Sequence, residues 1–429
     1  MMAWLVTCIF LIVTYWLAKK DIIWGVAWLC FWVTSYLVRM EVLGIPTTAL
    51  ELGIYLIFVL YLGKVWKGRA KWRWATSNWW VLAWVVVGLI SAVIVSDHKV
   101  SSLGLWKGWF VDPAVLYLIV INNLKYKGQV KLIYLAFVFL LGTMGFLAIW
   151  QWATGTAITD DGRISTFFSS ANYLAMLVEP VLLFVLAKFL VEKRCRWWEM
   201  VFWVMGLLAL ILSASYVGLM SFVLGCLFLT WMIYTKNIKS FLLVVLAGIV
   251  LAGVFVSLQP DQSRLQRMID LSERSSVTVR LEVWQTAIYM IKNTGFWGVG
   301  LGNFEEKYLE YAPQIFHPPM EWKMLHAHNL YLHTWLSVTL AGLIILLIIL
   351  LWWWTKAIKF LKQREYFWLY AGLAILLAWA VGGLADTPYY KNDLAFLFWL
   401  ILALIMASQN VQKTEVKILN KKDGVKSHG

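Results

Sequence analysis

Apolar residues run along this chain in blocks about as long as a bilayer is thick, and charged residues gather between the blocks. A helix needs roughly 20 apolar residues to cross a hydrocarbon core of about 30 Å. On that measure the spacing predicts thirteen spans, at 3–18, 22–38, 47–63, 79–95, 109–122, 132–152, 171–190, 199–213, 216–234, 240–258, 328–351, 366–384 and 393–408. The runs at 3–18 and 109–122 are short. The pattern breaks once, at 259–327, a long polar segment inside an otherwise apolar chain. The expectation is an all-α, polytopic integral membrane protein of about 12–13 transmembrane helices with one large external loop. Residues 1–429 read as one membrane domain, with 259–327 as its extracytoplasmic loop and 409–429 as a polar, lysine-rich cytoplasmic tail, frayed beside anionic lipid.

Within the long loop, Ser263–Met268 and Val277–Lys292 read as helices. In the second, Leu281, Trp284, Ile288 and Ile291 recur at spacings of three and four, an apolar stripe. Asn293-Thr294-Gly295 stops it. The following GFWGVGLGNF has the glycines of a nucleotide-binding turn, but it follows a helix and not a strand. Gly295, Gly298, Gly300 and Gly302 fit better a tight turn that lets the loop settle onto the helix bundle.

Charge orients the chain. Basic clusters at Lys64–Arg73, Lys125–Lys131, Lys193–Arg196, Lys236–Lys239, Lys356–Arg364 and after Lys413 fall on alternate connections. Placing them all in the cytoplasm leaves 96–108, 153–170, 213–216, 259–327 and 385–392 outside. The formal charge of +14 is thereby an orientation signal, and its scatter in short clusters excludes nucleic acid as a partner. Composition agrees: 62% of residues are hydrophobic and 14% charged, with mean hydropathy +0.73, against about a quarter charged in soluble domains. Several of the 29 tryptophans, such as Trp72, Trp79, Trp197 and Trp352–Trp354, end apolar runs and read as an interfacial belt. The four cysteines form neither a disulfide framework nor a metal motif. The first run lacks a basic leader and a small-residue cleavage site, so it reads as a retained helix.

Candidate chemistry lies at the outer ends of the spans. Arg163 stands in TDDGRISTFFSSANYLA, just before a helix that begins near Asn172. Arg280 opens the loop helix in RLEVW, and His328-Asn329 begin a membrane helix in HAHNLYLHTW. Asp386, Lys391 and Asp393 fill the turn DTPYYKND. Asp112 and Glu179 lie deeper, each followed by proline; Glu179 falls roughly 10 Å along its helix. Ionisable groups inside a span are functional or paired, and for Glu179 a substrate role and pairing with a nearby arginine stand level. His326, His328 and His333 raise the question of a metal, but on a helix residues two or five apart do not share a face. No metal and no cofactor are expected.

RISTFFSSANYLA, RLEVW with GFWGVGLGNF, and HAHNLYLHTWLSVTLAGL, in that order, resemble the O-antigen ligase and O-antigen polymerase superfamily over roughly residues 80–408. The resemblance implies a bacterial inner-membrane glycosyltransferase whose active face is periplasmic. It would pass a glycan from an undecaprenyl-diphosphate carrier to a hydroxyl on a glycan, lipid or protein acceptor, without nucleotide or metal. Carried over by position, Arg163 and Arg280 match arginines that engage the diphosphate, and His328 matches the general base. Guanidinium offers bidentate donors to phosphate oxygens and stabilises charge developing on a leaving group. Imidazole takes a proton near neutral pH. Asn329, Glu179, Asp112, Asp386 and Lys391 are the candidates for binding substrate.

The chain departs from the family pattern in three places: Tyr216 stands where an arginine is usual, Ser337 replaces an acidic residue, and Thr339 replaces a glycine. Rival readings remain. Arg163 and Arg280 also suit lipid headgroups, His328 a helix cap, and the Asp386–Asp393 turn a mere closure of the bundle. A ligase, a polymerase and a protein O-oligosaccharyltransferase share the scaffold. A flippase or transporter would show paired broken helices, and an envelope scaffold would tolerate loss of Arg280 and His328.

Overall fold

A computed structural model of the protein describes residues 2–42, 44–156, 159, 162–234, 242, 246, 248, 253 and 275–426. The expected span 240–258, apart from isolated positions, and the expected helix Ser263–Met268 lie outside them.

The described chain is a helical bundle: α1 (Met2–Lys20), α2 (Ile22–Phe31), α3 (Ala49–Trp66), α4 (Ser77–Ile90), α5 (Lys99–Trp106), α6 (Asp112–Asn123), α7 (Lys127–Thr154), α8 (Ala171–Glu192), α9 (Trp197–Leu212) and α10 (Tyr216–Tyr234). After the undescribed stretch come α11 (Ser276–Thr294), α12 (Phe304–Tyr311), α13 (Leu330–Leu361), α14 (Phe367–Gly382) and α15 (Asn392–Lys426). Among the described residues nine helices are long and apolar enough to cross a membrane; Ile22–Phe31, Trp197–Leu212 and Phe367–Gly382 are shorter apolar helices. The all-α, polytopic membrane architecture holds. Helix α8 and α15 lie deepest, α8 against α14 and α9, and α15 against α6.

Three boundaries and one tryptophan differ from expectation. The span 22–38 ends as a helix at Phe31, and the chain then makes a short 3-10 turn and a hairpin, β1 (Arg39–Val42) and β2 (Ile45–Thr48). Pro46 lacks an N–H and disfavours helix here. The segment 96–108, expected as a loop, is mostly helical: α5 runs into α6 through a π turn at Lys107–Val111. The tail after Gln409 stays helical to Lys426, not frayed. Asn410 Nδ2 donates to the Ile121 carbonyl (2.7 Å), and Glu415 pairs with Lys127 (3.1 Å), tying the tail to the bundle. Finally, Trp353 is buried with its indole N–H on the Leu402 carbonyl (3.0 Å), so it is core and not interfacial belt.

The loop carries its own apolar cluster of Val283, Ala287, Met290, Val299, Phe304 and Tyr308, closed by Leu336 of α13. The inward stripe of α11 is therefore Val283, Ala287 and Met290, while Leu281 and Ile288 of the expected stripe are exposed. The helix has two apolar faces, and periodicity alone does not choose between them.

The glycine turn grips a break in α13. Thr339 has φ 83° and ψ 165°, so the helix is interrupted within its apolar run. Leu340 N–H donates to the Phe296 carbonyl (2.9 Å), and the Leu336 carbonyl accepts from Val299 N–H (2.8 Å) and Gly300 N–H (3.0 Å). Ser91 Oγ donates to the Ser337 carbonyl (2.6 Å). Backbone groups freed at membrane depth are tolerated only when protein satisfies them, and GFWGVGLGNF does so. Gly298 and Gly300 have φ 68° and 88°; a Cβ at Gly298 would strike the Leu336 carbonyl, and one at Gly300 would lie 2.7 Å from Ser96 backbone. The expectation that this turn docks onto the bundle holds.

Thr339 sits where essentially only glycine is at ease, at a cost of about 1–3 kcal/mol. Thr339→Gly is expected to raise the thermal unfolding midpoint in detergent, since strain relief exceeds the roughly 0.5–1 kcal/mol entropic cost of glycine. A lowered midpoint would show that this backbone is not strained.

Candidate active site

Three segments meet at the loop end of the bundle: the first turns of α11, the entry to α13, and the α14–α15 connection. Ser275 caps α11 through Thr278 N–H (3.2 Å), which sets Arg280 in its second turn. Asn329 caps α13, its Oδ1 accepting from Tyr331 and Leu332 N–H (both 3.0 Å). Its Nδ2 donates to the Leu384 carbonyl (2.9 Å), and Leu330 N–H donates to the Gly383 carbonyl (2.7 Å). Asn329 is thus a strut between two segments. The strut brings His328 to Asp386.

Asp386 is the centre. Its Oδ1 lies 3.4 Å from His328 Nδ1 and accepts from Thr387 N–H (3.0 Å); its Oδ2 lies 4.0 Å from Arg280 Nη2. Burial alone would raise the Asp386 pKa, but the His328 hydrogen bond and charge, with Arg280 and Thr387 N–H, outweigh it and hold it below the usual carboxylate range. A carboxylate at Nδ1 favours the tautomer with the proton there and turns the Nε2 lone pair toward other groups. His328 has φ 46°, a left-handed conformation, and its carbonyl accepts from Trp284 Nε1 of α11 (3.1 Å). Arg280 Nε is buried without a hydrogen-bond partner among the described residues.

The remaining candidates divide. Lys391 lies within 4.0 Å of the Tyr173 ring centroid, 4.2 Å of Phe168 and 5.2 Å of Tyr36, a cage of aromatic faces. Burial lowers its pKa, with Asp393 opposing and Arg39 adding to the shift. Arg163 is set one step out: its Nη1 donates to Asn172 Oδ1 (3.0 Å), in the same turn of α8 as Tyr173. Glu179 is buried on α8 and shares a narrow cleft with Asp386, Ser221, Gly382 and Pro388. Of the two readings held level for Glu179, the arginine partner is not found among the described residues, where its Oε1 has no hydrogen-bond partner. Asp112 joins a different polar cluster, accepting from the Tyr55 hydroxyl near the Lys107–Glu51 pair (2.9 Å). Glu51 in turn accepts from Asn392 Nδ2 (3.3 Å).

Sequence reasoning missed a histidine string. His326 Nδ1 lies 3.4 Å from His333 Nε2, and its own Nε2 lies 3.0 Å from the Tyr173 hydroxyl. The helical-face argument set His328 apart from the other two but did not address His326 with His333, which are seven residues apart; α13 begins only at Leu330, so His326 lies before the helix and folds back onto it. Ala327 N–H points at His333 Nδ1 (3.5 Å), so His333 carries its proton on Nε2 and donates to His326 Nδ1. His326 then donates from Nε2 to Tyr173, beside Lys391. Among the described residues no group of three or more His, Cys, Asp or Glu could hold a metal. Glu282, also overlooked, accepts from Met320 N–H (2.8 Å) and anchors the loop.

Burial, then the His328 charge, lowers the His326 pKa to about 4. A histidine neutral in the fold and near 6.5 when unfolded stabilises fully above that value, and its contribution is lost as pH falls from about 6.5 to 4. His326→Gln, which cannot titrate, is expected to flatten the acid limb of the unfolding midpoint in that window. An unchanged limb would remove His326 as its source.

No curated protein matches the chain. Residues 200–338, the stretch that carries Arg280, His328 and Asn329, match the family model described as O-antigen ligase. That match covers about a third of the chain and agrees with the resemblance read from RLEVW, GFWGVGLGNF and the start of HAHNLYLHTWLSVTLAGL, while RISTFFSSANYLA lies outside it; it supports likeness to a family of glycan-processing enzymes of ligase or polymerase type.

Proposed function

We propose that the protein is a bacterial inner-membrane glycosyltransferase of the O-antigen ligase type, acting at its periplasmic face. It takes a glycan from an undecaprenyl-diphosphate carrier and passes it to an acceptor hydroxyl. The observation that carries this reading is Asp386 standing between Arg280 (4.0 Å) and His328 (3.4 Å), an anion-binding cation and a base beside one carboxylate. Arg280 holds the diphosphate and stabilises the charge that grows on it as the glycosidic bond breaks. His328 Nε2 takes the acceptor proton as the hydroxyl oxygen attacks the anomeric carbon. Arg163 and the caged Lys391 add positive charge around the carrier, while Asn329 holds the geometry. The activated donor brings its own driving force, so the chemistry proceeds away from nucleotide.

Reconstitution into liposomes with an undecaprenyl-diphosphate glycan and candidate acceptors tests the proposal. Transfer should proceed without nucleotide and in the presence of a chelator. The acceptor that is consumed separates ligase, polymerase and protein glycosylation. Movement of the lipid-linked glycan across the bilayer without transfer would favour a flippase instead.

A further inference from the structure

A second charged site lies at the opposite end of the bundle. Along α15 the rise of 1.5 Å per residue puts Lys417 about 36 Å from Asp393. There the α3–α4 connection, the α6–α7 turn and the end of α15 enclose a cleft of about 650 Å³. Arg69, Lys71, Arg73, Lys125, Lys413 and Lys417 line it, and among the described residues no carboxylate does. None of the six forms an ion pair among the described residues.

The cleft is built, not incidental. Arg73 N–H donates to Asn122 Oδ1 (2.8 Å), the Tyr61 hydroxyl donates to the Lys71 carbonyl (3.1 Å), and Asn410 Nδ2 donates to the Ile121 carbonyl (2.7 Å). These bonds fix three separate chain segments around one space. Glu415, the acid nearest in sequence to Lys413 and Lys417, is engaged elsewhere by Lys127 (3.1 Å) and the Tyr366 hydroxyl (2.8 Å). The fold therefore turns its available counter-ion away from the cleft and leaves like charges facing one another. Such an arrangement concentrates anions from solution or from the membrane surface.

We propose that this cleft binds a phosphate-bearing anion at the membrane surface, the chemistry shared by an acidic phospholipid headgroup and a soluble diphosphate. Two guanidinium groups at Arg69 and Arg73 offer bidentate donors to phosphoryl oxygens, and the lysines supply point charges around them. Basic pockets between transmembrane helices at this depth hold acidic headgroups. The site is independent of the glycan-transfer reading and stands or falls without it.

The test follows the unfolding midpoint of the whole protein in neutral detergent during titration with dioctanoyl phosphatidylglycerol, dioctanoyl phosphatidylcholine or inorganic pyrophosphate. The parent should show a saturable rise with phosphatidylglycerol and little with phosphatidylcholine. K71Q/K413Q should weaken the half-saturating concentration about tenfold or more, while K359Q/K362Q, which removes equal charge from the end of α13, should leave it unchanged. A saturable pyrophosphate response with the same variant sensitivity extends the site to soluble phosphate; its absence assigns the site to lipid. Equal titrations for the parent and K71Q/K413Q, or equal responses to the two lipids, would overturn the proposal. Both lysines are exposed, and parental midpoints without ligand will show that the variants fold.

Discussion

Replacing His328 by alanine is expected to lower the rate of glycan transfer by about 10²- to 10⁴-fold, the contribution of a positioned general base. On the proposed mechanism the loss should fall on kcat, because there the imidazole acts on the acceptor proton and not on the carrier. Its environment favours that division: Asp386 Oδ1 meets Nδ1 at 3.4 Å and orients the ring, and Trp284 holds the backbone from behind at 3.1 Å. His328→Gln should be no better, since glutamine cannot accept the proton. The measurement is initial rate against acceptor concentration in proteoliposomes. A variant with parental kcat would reduce His328 to a structural residue at the start of α13.

Arg280→Ala is expected to reduce transfer by about 10²- to 10³-fold, the scale for losing one preorganised donor to a developing anion. It should also leave the Asp386 carboxylate with one cationic neighbour fewer, so some loss of stability is expected alongside. Arg280→Lys separates the two effects. Lysine restores the charge beside Asp386 but offers no bidentate fork. The lysine variant should therefore recover the unfolding midpoint while remaining well below parental rate. Recovery of rate as well would mean that a bare positive charge suffices there.

The spans were legible because blocks of apolar residues near bilayer length have few other uses, and α3, α4, α7, α8, α10 and α13 begin or end close to where the runs do. Arg280, His328 and Asp386 were each legible as charge at the mouth of a span. Their union was not. Asp386 and His328 are 58 residues apart, and hydrogen bonds from the first turns of α13, those of Asn329 and Leu330 among them, to the α14–α15 connection bring them together. The break at Thr339 was hidden for a different reason. Its local sequence is apolar and helix-compatible, and the energy that opens it comes from the Phe296–Gly300 segment, outside any window of periodicity. Tyr173 gave no signal at all as a partner of His326, 153 residues away. The inward face of α11 was misread because two apolar stripes share that helix, and tertiary contact with Phe304 and Tyr308 selects between them. Asp112 illustrates the limit of reading a buried charge as a site residue: Tyr55, on another helix, already occupies its Oδ1.

The central claim is that a guanidinium and an imidazole act as one unit through the carboxylate between them. Single-turnover transfer from a labelled undecaprenyl-diphosphate glycan, compared for the parent, Arg280→Ala, His328→Ala and the double variant, tests it most directly. Groups that act together lose their effects together, so the double variant should be within about tenfold of the slower single variant. Parental turnover by either single variant, or losses that multiply as for separate sites, would contradict the claim.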